Sequence, residues 1–348
     1  MPERVSGRQT EDAGVTVAAI ERELESLSRA HAEVAGVMVG QDEAIRQLLI
    51  GLLSGGHILV EGAPGLGKTL LVRTLGTVCG LKFSRIQFTP DLMPADITGT
   101  IALLHDENGE AVTRFQPGPV FTQMLLTDEI NRATPKTQSA LLEAMQEGTV
   151  TVAGQEYRLP TPFFVLATQN PIEMEGTYLL PEAQIDRFFF KVTIAFPSFD
   201  VLDGILERTT GAQAAEPEQV LTPEQILRLQ ELTRQVPIAA SVRQRVARFV
   251  MATQPLSDTA PDEVKRFVRF GVSPRGAQVL VLAAKANALL EGRYNVSFED
   301  IRTVAMPALR HRVQLNFEGE AEGIEVEDVI TRLLRRLIDA KSSGVERR

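Results

Sequence analysis

The segment Gly62-Ala63-Pro64-Gly65-Leu66-Gly67-Lys68-Thr69 is the most informative part of this 348-residue chain. Two glycines with four residues between them precede Lys68 and Thr69, which is the pattern of a phosphate-binding loop. Residues 58–60 are apolar, as in a buried strand, and the residues from Leu70 onward have helical spacing. Chance alone gives such a match in roughly one of a hundred chains of this length. Because the motif also has its strand, loop and helix context, the sequence predicts nucleotide binding.

The chemistry of this segment follows from its residue types. Glycines allow backbone N–H groups to approach phosphate oxygens, and the following helix directs its positive end at the same anion. We expect the Lys68 ammonium to reach the β- and γ-phosphates and the Thr69 hydroxyl to coordinate Mg²⁺. The sequence therefore predicts ATP and Mg²⁺ as ligands, with ATP contacts from Gly62 through Leu70.

Bulk composition is that of an ordinary protein with about two domains. Hydrophobic residues make up 44% and charged residues 23% of the chain. The formal net charge of −9 gives no global attraction for nucleic acid, which is therefore not an expected partner. The four histidines lack the spacing of metal ligands, so no metal is expected besides nucleotide-bound Mg²⁺.

The compartment is inferred from what the sequence contains. Cys79 is the only cysteine, which excludes an internal disulfide and favours a small buried core residue. No apolar run approaches the ~18 residues of a membrane span. Residues 1–14 are polar and carry acids, unlike a secretory signal. We expect a cytoplasmic protein with no membrane span.

The chain divides into five stretches. We predict a disordered tail at 1–14, an α/β nucleotide-binding domain at 15–206, a linker at 207–221, a helical domain at 222–340 and a flexible tail at 341–348. In the α/β domain, short apolar runs separated by helix-like segments predict a five-stranded parallel sheet. These runs cover residues 58–60, 83–88, 124–127, 163–167 and 189–194.

Two hairpins are predicted inside the α/β domain. The first joins residues 101–104 and 111–115 through a turn at 106–109, and the second joins 148–152 and 157–159. Neither hairpin contributes to the core of a parallel sheet, so both are candidates for a function at the protein surface.

The second domain is predicted to be an all-α bundle. Thr222 begins a capping box, and Ser297 begins a looser one. Helical spacing recurs near residues 222–235, 239–254, 275–291, 298–312 and 327–340.

The turn Gly40-Gln41 lies just before the second predicted helix, residues 42–53. Because it precedes the first central strand, it is placed to line the adenine base of a bound nucleotide. An ordinary helix-entry loop has the same composition, and both interpretations remain open at this point.

Two carboxylates follow the apolar run 124–127. Asp128 is placed to hold Mg²⁺ through water, and Glu129 to polarise the water that attacks the γ-phosphate. In an α/β sheet the carboxyl ends of strands face the ligand crevice. An acidic pair after a strand is otherwise usually a helix cap, and the phosphate-binding loop upstream makes the catalytic interpretation much the stronger.

Three further polar residues are candidates. Asn170 follows the run 163–167 and is placed to orient the attacking water, although Asn-Pro also forms turns. Arg187 precedes an aromatic run, and Arg275 begins a helix. Taken alone, Arg187 is explained as a salt-bridged surface residue, and Arg275 is equally well explained as a surface charge.

The set of motifs resembles that of the AAA+ ATPases. The longer segments narrow the resemblance to the MoxR family, which has the magnesium-chelatase ATPase subunits as relatives. The likeness covers roughly residues 35–340 and rests on the segments at 115–121, 128–133, 141–147 and 167–171, including Asp128-Glu129-Ile130-Asn131-Arg132-Ala133 and Ala167-Thr168-Gln169-Asn170-Pro171.

The resemblance implies a role for each candidate. It implies that Asp128 binds Mg²⁺ together with Thr69, that Glu129 activates water and that Asn170 senses the γ-phosphate. It also implies that Arg187 is an arginine finger offered to a neighbouring subunit and that Arg275 is the sensor arginine of a helical lid. Within one chain, Lys68 and Arg275 are then the cations expected near the γ-phosphate.

The resemblance further implies an assembly and a task. Members of the family form rings, usually hexamers, with ATP at each subunit boundary and inserted hairpins on the working surface. They resemble chaperones that act on partner proteins, often beside von Willebrand factor A-domain proteins. A chelatase-type motor for metal insertion is the alternative, and a nucleic-acid motor is a weaker one because the predicted hairpins are poor in lysine and in aromatics that stack on bases.

Overall fold

In the computed structural model, the residues described are 17–105, 110–170, 177–210 and 216–338. The predicted tails 1–14 and 341–348, and the predicted hairpin turn 106–109, lie outside them. Strands are numbered along the chain as β1 (Ile58–Glu61), β2 (Phe83–Gln87), β3 (Gly99–His105), β4 (Ala111–Pro117), β5 (Met124–Asp128), β6 (Thr149–Val152), β7 (Gln155–Arg158), β8 (Phe164–Gln169), β9 (Phe190–Thr193), β10 (Val268–Phe270) and β11 (Gln314–Leu315).

The helices of the described residues surround these strands. They are α1 (Val17–Val37), α2 (Asp42–Leu53), α3 (Lys68–Val78), α4 (Pro94–Thr98), α5 (Pro135–Glu147), α6 (Glu182–Ile185), α7 (Phe199–Thr209), α8 (Pro223–Gln235), α9 (Ala240–Ala252), α10 (Asp262–Phe267), α11 (Pro274–Leu290), α12 (Phe298–Leu309), α13 (Phe317–Ala321) and α14 (Val326–Leu337), with a single 3₁₀ turn at Ile130–Arg132.

The five predicted apolar runs form one parallel sheet in the order β2-β5-β8-β1-β9. Their bounds differ from the prediction by no more than two residues. The central strands β5, β8 and β1 are buried along almost their whole length, as their apolar runs predict, whereas the edge strand β2 carries the exposed Arg85 and Gln87. The register pairs Gln87 with Asp128 and Val60 with Thr168. All five carboxyl ends therefore lie along one edge of the sheet.

The two faces of the sheet pack against different hydrophobic cores. Ile58 and Val60 point to the face that packs on α1, α2, α3 and the helical domain. Leu59 and Val165 point to the other face, which packs on α5 and the residues around the hairpins. This alternation follows from the two-residue period of a strand.

Both predicted strand pairs are present, and the first starts at Gly99 and ends at Pro117, two residues beyond the predicted bounds at each end. The turn between β6 and β7 has only two residues, Ala153 and Gly154, both with positive φ, so β7 begins two residues earlier than predicted. Turns of this kind match the right-handed twist of the strands they join. Phe115 of β4 stacks on Tyr157 of β7 with ring centroids 4.0 Å apart, so the two hairpins contact each other.

The five helical runs predicted for the second domain are confirmed as α8, α9, α11, α12 and α14. The domain is not purely helical, because β10 and β11 form a short antiparallel pair beside α10 and α13. Elements this short carry too few residues for periodicity to reveal them. The capping boxes at Thr222 and Ser297 are both formed.

The boundary between the domains also differs from the prediction. Helix α7 continues to Thr209, so the linker begins later than residue 207. The end of the linker is attached to the α/β domain, because the backbone N–H groups of Val220 and Leu221 both donate to the Val78 carbonyl. Residues 211–215 of the linker lie outside the described residues.

Cys79 directly follows α3 and is fully buried, as predicted, and this burial raises the pKa of its thiol to about 12.

Among the helices of the described residues, none has both the length and the apolar character of a membrane span.

His57 ties three elements together at the amino end of β1. The Val165 N–H donates to Nδ1 over 3.1 Å, and Nε2 lies 2.9 Å from the Met145 carbonyl. Because Nδ1 accepts, the proton of a neutral ring sits on Nε2 and is donated to Met145. Burial lowers the pKa of His57 from 6.5 to about 4, with the Met145 hydrogen bond opposing it.

This burial predicts a pH-dependent stability. Between pH 6.5 and 4 the unfolded chain binds a proton at His57 that the folded chain does not, so the free energy of unfolding falls as the pH decreases. From pH 7.5 to 5.5 we expect His57 to contribute a loss of about 1 kcal/mol. Urea unfolding of His57→Gln, whose amide also donates and accepts, should show a correspondingly weaker pH dependence. An unchanged dependence contradicts the assignment.

Candidate active site

The phosphate-binding loop connects β1 to α3 at the carboxyl edge of the sheet. Gly65 and Gly67 have φ values of 84° and 74°, a left-handed conformation that glycine adopts without strain. Lys68 is the first residue of α3, and its Nζ donates to the carbonyls of Gly62 (2.6 Å) and Ala63 (3.2 Å). Burial lowers the pKa of this ammonium, and the Asp128 and Glu129 carboxylates oppose the shift. The lysine is thus held beside the loop that it serves.

Asp128 is the last residue of β5 and is buried, with 6% of its surface exposed. One carboxylate oxygen accepts from Arg85 Nε at 2.7 Å, and the other accepts from Thr168 Oγ1 at 3.2 Å. Arg85 comes from the neighbouring strand β2 and Thr168 from β8 on the other side. Side chains from both strands that neighbour β5 therefore orient this carboxylate.

Glu129 occupies a left-handed conformation, with φ of 57°, directly after β5. Its backbone N–H donates to Thr168 Oγ1 at 3.0 Å. Its carboxylate accepts from Gln87 Nε2 at 3.0 Å and pairs with Arg132 at 2.8 Å. A non-glycine residue at positive φ is uncommon, and such strained residues cluster at functional sites.

These residues share one cavity of about 450 Å³. Asn170, which is 8% exposed, enters it from the end of β8. The sequence-predicted Lys68, Thr69, Asp128, Glu129 and Asn170 are therefore brought together. The lining residues are Pro64, Gly65, Gly67, Lys68, Thr69, Leu70, Arg85, Gln87, Asp128, Glu129, Thr168 and Asn170.

The donor set of this cavity fits Mg²⁺. The Thr69 hydroxyl and the Asp128 carboxylate line the same space, and Mg²⁺ prefers oxygen ligands of these kinds beside substrate phosphates. Thr69 and Asp128 are the residues that would hold the ion.

A second cavity of about 210 Å³ adjoins the phosphate-binding loop at Gly65, Leu66 and Gly67. Its walls are mainly apolar, which suits a nucleotide base. Gln41 lines this cavity, whereas Gly40 does not. Instead, Gly40 packs on Val201, which a side chain at this position would meet at 2.4 Å. The remaining lining residues include Val37, Met38, Val39, Leu70, Phe196, Pro197, Leu202, Ile205 and Arg208.

Arg187 and Arg275 lie elsewhere. They line a different cavity, about 200 Å³ in volume, together with Gly56 and His57 at the amino end of β1. The phosphate-binding loop follows the carboxyl end of β1, and four residues of strand separate the two ends by about 13 Å. Arg275 therefore lies beside Arg187 and outside the phosphate cavity, and its role as the sensor arginine of the lid stays a prediction.

Sequence reasoning missed three residues of the phosphate cavity. Arg85 and Gln87 are on β2, and Thr168 is on β8. Alternating polar residues at the carboxyl end of an otherwise apolar strand were the available signal. Their role depends on β2 lying beside β5, which the sequence does not state.

Fold and site together define a nucleotide-hydrolysing domain, and comparison with known proteins agrees. Residues 57–190 match the ATPase family associated with various cellular activities (AAA), and residues 262–333 match the AAA lid domain. A crystal structure of a proposed ATPase from Cytophaga hutchinsonii is 40% identical with a TM-score of 0.85, covering 91% of this chain and 97% of that one.

The most informative relatives carry the MoxR name. Chaperone MoxR1 of Mycobacterium tuberculosis is 44% identical, covering 90% of this chain and 82% of that protein. Protein MoxR of Paracoccus denitrificans is 35% identical, covering 82% and 88%. The magnesium-chelatase subunit ChlI of Nostoc is more distant, at 26% identity. The chain belongs to the MoxR family of AAA+ ATPases and is an ATPase.

The position of Arg85 generates a prediction about ATP affinity. Arg85 is a second cation of the phosphate cavity, and it holds the Asp128 carboxylate in place. A hydrogen bond to a charged group contributes about 1.5–3 kcal/mol, so we expect Arg85→Ala to weaken binding of a fluorescent ATP analogue about tenfold. Arg73→Ala, an exposed residue of α3, is the matched control. Equal affinity for the two variants contradicts the prediction.

Proposed function

We propose that the chain hydrolyses Mg²⁺-bound ATP at the boundary between neighbouring copies in a ring, with a hexamer as the expected size. One observation carries this proposal. The phosphate cavity lies at the carboxyl end of the sheet, while the half-buried Arg187 and the exposed Arg275 lie beyond the amino end. A second copy can bring these cations to the first copy's phosphates, so that assembly controls turnover.

Each residue of the phosphate cavity has a defined task under this proposal. Lys68 neutralises phosphate oxygens, and Glu129 accepts a proton from the attacking water, which Asn170 orients. Thr69 and Asp128 would hold Mg²⁺, which would neutralise phosphate charge when bound. Arg187 of a neighbouring copy stabilises the transition state, an effect of about 10³–10⁵ in rate in comparable systems. Gln41 contacts the base, with the apolar residues of the adjoining cavity.

The role of Glu129 is tested by Glu129→Gln. The amide keeps the shape of the side chain but accepts no proton, so we expect ATP to bind as before and hydrolysis to fall to near zero. Nucleotide affinity and phosphate release measured on the same preparation decide the outcome. Substantial remaining turnover excludes Glu129 as the base.

The role of Arg187 is tested by Arg187→Ala. Because the residue acts on a neighbour's nucleotide, its loss should leave ATP affinity unchanged and reduce turnover by about 10³-fold or more. Assemblies that mix Arg187→Ala with Glu129→Gln subunits should regain part of the activity, since each variant supplies what the other lacks. A parallel loss of ATP binding and turnover overturns the assignment.

We further propose that the free energy of ATP hydrolysis is used to remodel a protein partner in the cytoplasm. The MoxR1 name of the relative supports a chaperone role, and the exposed hairpins offer a surface for it. Ile101 and Leu103 on one face of β3 are 41% and 65% exposed, beside the stacked Phe115 and Tyr157. Apolar side chains grouped on an exposed element mark protein contact sites. A von Willebrand factor A-domain protein is one expected partner.

Capture experiments test this use of the energy. The Glu129→Gln variant is expected to hold ATP and retain its partner, and mass spectrometry then identifies the protein retained. The matched control adds Leu103→Ser, which removes exposed apolar surface outside the active site and should reduce capture. Retention that is unaffected by Leu103→Ser argues against the hairpin face. Hydrolysis stimulated by a porphyrin-bound partner would instead favour the chelatase alternative.

A further inference from the structure

We propose that Arg312, paired with Asp186, is a positioning residue that holds Arg187 and Arg275 in the orientation needed by a neighbouring active site. The inference rests on the proposed function, in which these two arginines act between copies. It adds a residue from the helical domain that neither the motifs nor the phosphate cavity includes.

Arg312 holds the backbone on both sides of Arg187. Its side chain is 2% exposed, and its Nε donates to Asp186 Oδ1 at 2.7 Å. Its Nη2 donates to the backbone carbonyls of Asp186 (3.0 Å) and Phe188 (2.7 Å), and its Nη1 donates to that of Phe189 (3.1 Å). Three carbonyls that flank the finger are thus bound by a single side chain.

The same carboxylate extends the arrangement to Arg275. Asp186 accepts from Ser273 Oγ at 3.2 Å and lies 3.9 Å from Arg275 Nη1. Ser273 also caps α11, accepting from the Gly276 N–H at 3.2 Å. The helix end that carries Arg275 is therefore held by the carboxylate that Arg312 holds.

The neighbouring residues leave room for this arginine. A Cβ at Gly276 would lie 2.8 Å from Arg312 Cδ and 2.5 Å from the Val272 side chain, so glycine permits the close approach. Burial of the guanidinium lowers the pKa of Arg312. The interaction of Arg312 with the Asp186 carboxylate opposes this shift.

The chemistry of the pair favours a positioning role over simple packing. Replacing buried ion pairs with apolar residues of similar size is often neutral or stabilising, so packing alone gives no reason for a charge here. A guanidinium has five donors in a rigid planar fork, whereas an ammonium is a compact point charge. Only the fork can bind one carboxylate and several carbonyls in a fixed geometry. Displacing a catalytic group by about 1 Å can reduce the rate 10²-fold, which makes such fixing consequential.

The experiment compares Arg312→Lys and Asp186→Asn with the native chain. Lysine keeps the positive charge but loses the fork, and asparagine keeps an acceptor oxygen but loses the negative charge. For both variants we expect kcat to fall 10- to 100-fold while KM and the Kd for a fluorescent ATP analogue stay within threefold. Arg302→Lys is the matched control, because Arg302 lies on α12 in a largely exposed ion pair with Glu299. It should retain native kcat.

Mixed assemblies separate positioning from a structural defect. Arg312→Lys subunits keep Glu129, and Glu129→Gln subunits keep native Arg312 and Arg187. If Arg312 positions a finger for the neighbour, mixing the two should restore part of the turnover. No restoration, or equal losses of ATP affinity and kcat in both variants, overturns the inference. Thermal unfolding verifies folding, and Asp186→Asn provides the test if Arg312→Lys does not fold.

Arg187→Ala in the same assays distinguishes a failure of the positioning role of Arg312 from a failure of the proposed function. Lost turnover in Arg187→Ala with native kcat in both pair variants overturns the role of Arg312 and leaves the proposed function intact. Native turnover in Arg187→Ala overturns the proposed function, and the inference with it.

Discussion

The alignment of five parallel strands is the constraint on which the site depends. Because the strands run in one direction, the phosphate-binding loop after β1, Asp128 at the end of β5 and Asn170 after β8 meet at one edge. The order of the strands adds Arg85 from β2 and Thr168 from β8 on either side of Asp128. The cavity is therefore a property of the sheet as a whole, and no single motif contains it.

The other two candidate residues, Arg187 and Arg275, lie at the opposite end of the sheet. Arg187 and Arg275 come from different domains, yet the Asp186 carboxylate interacts with the elements that bear both. Arg312 connects the helical domain to this segment through buried hydrogen bonds, so the lid and the finger segment form one unit. Under the proposed function, the two ends of the sheet are complementary half-sites, which would give a physical reason for hydrolysis at a boundary between copies.

Features that depend on residues close together in the chain could be predicted from the sequence, whereas contacts between residues far apart in the chain could not. The central strand runs were predictable because burial on both faces makes them apolar, and the capping boxes because they join residues three apart. Arg85 was missed because its partner Asp128 is on another strand. The place of Arg275 beside Arg187 could not be predicted, because its sequence context, a helix start, does not state which end of the sheet that helix approaches. The small β10–β11 pair was missed because its strands are too short to show a period.

The sequence alone determined the class of the protein, the phosphate-binding loop, the candidate catalytic carboxylates and the family. These features are local: each rests on residue types and spacings within a few positions of one another. Tertiary structure alone decided which side chains hold Asp128 and Glu129, where the apolar cavity beside the phosphate-binding loop lies, and that Arg187 and Arg275 lie together, away from the phosphate cavity. The physical reason is that these arrangements depend on strand order and on the docking of the helical domain, which bring together residues far apart in the chain.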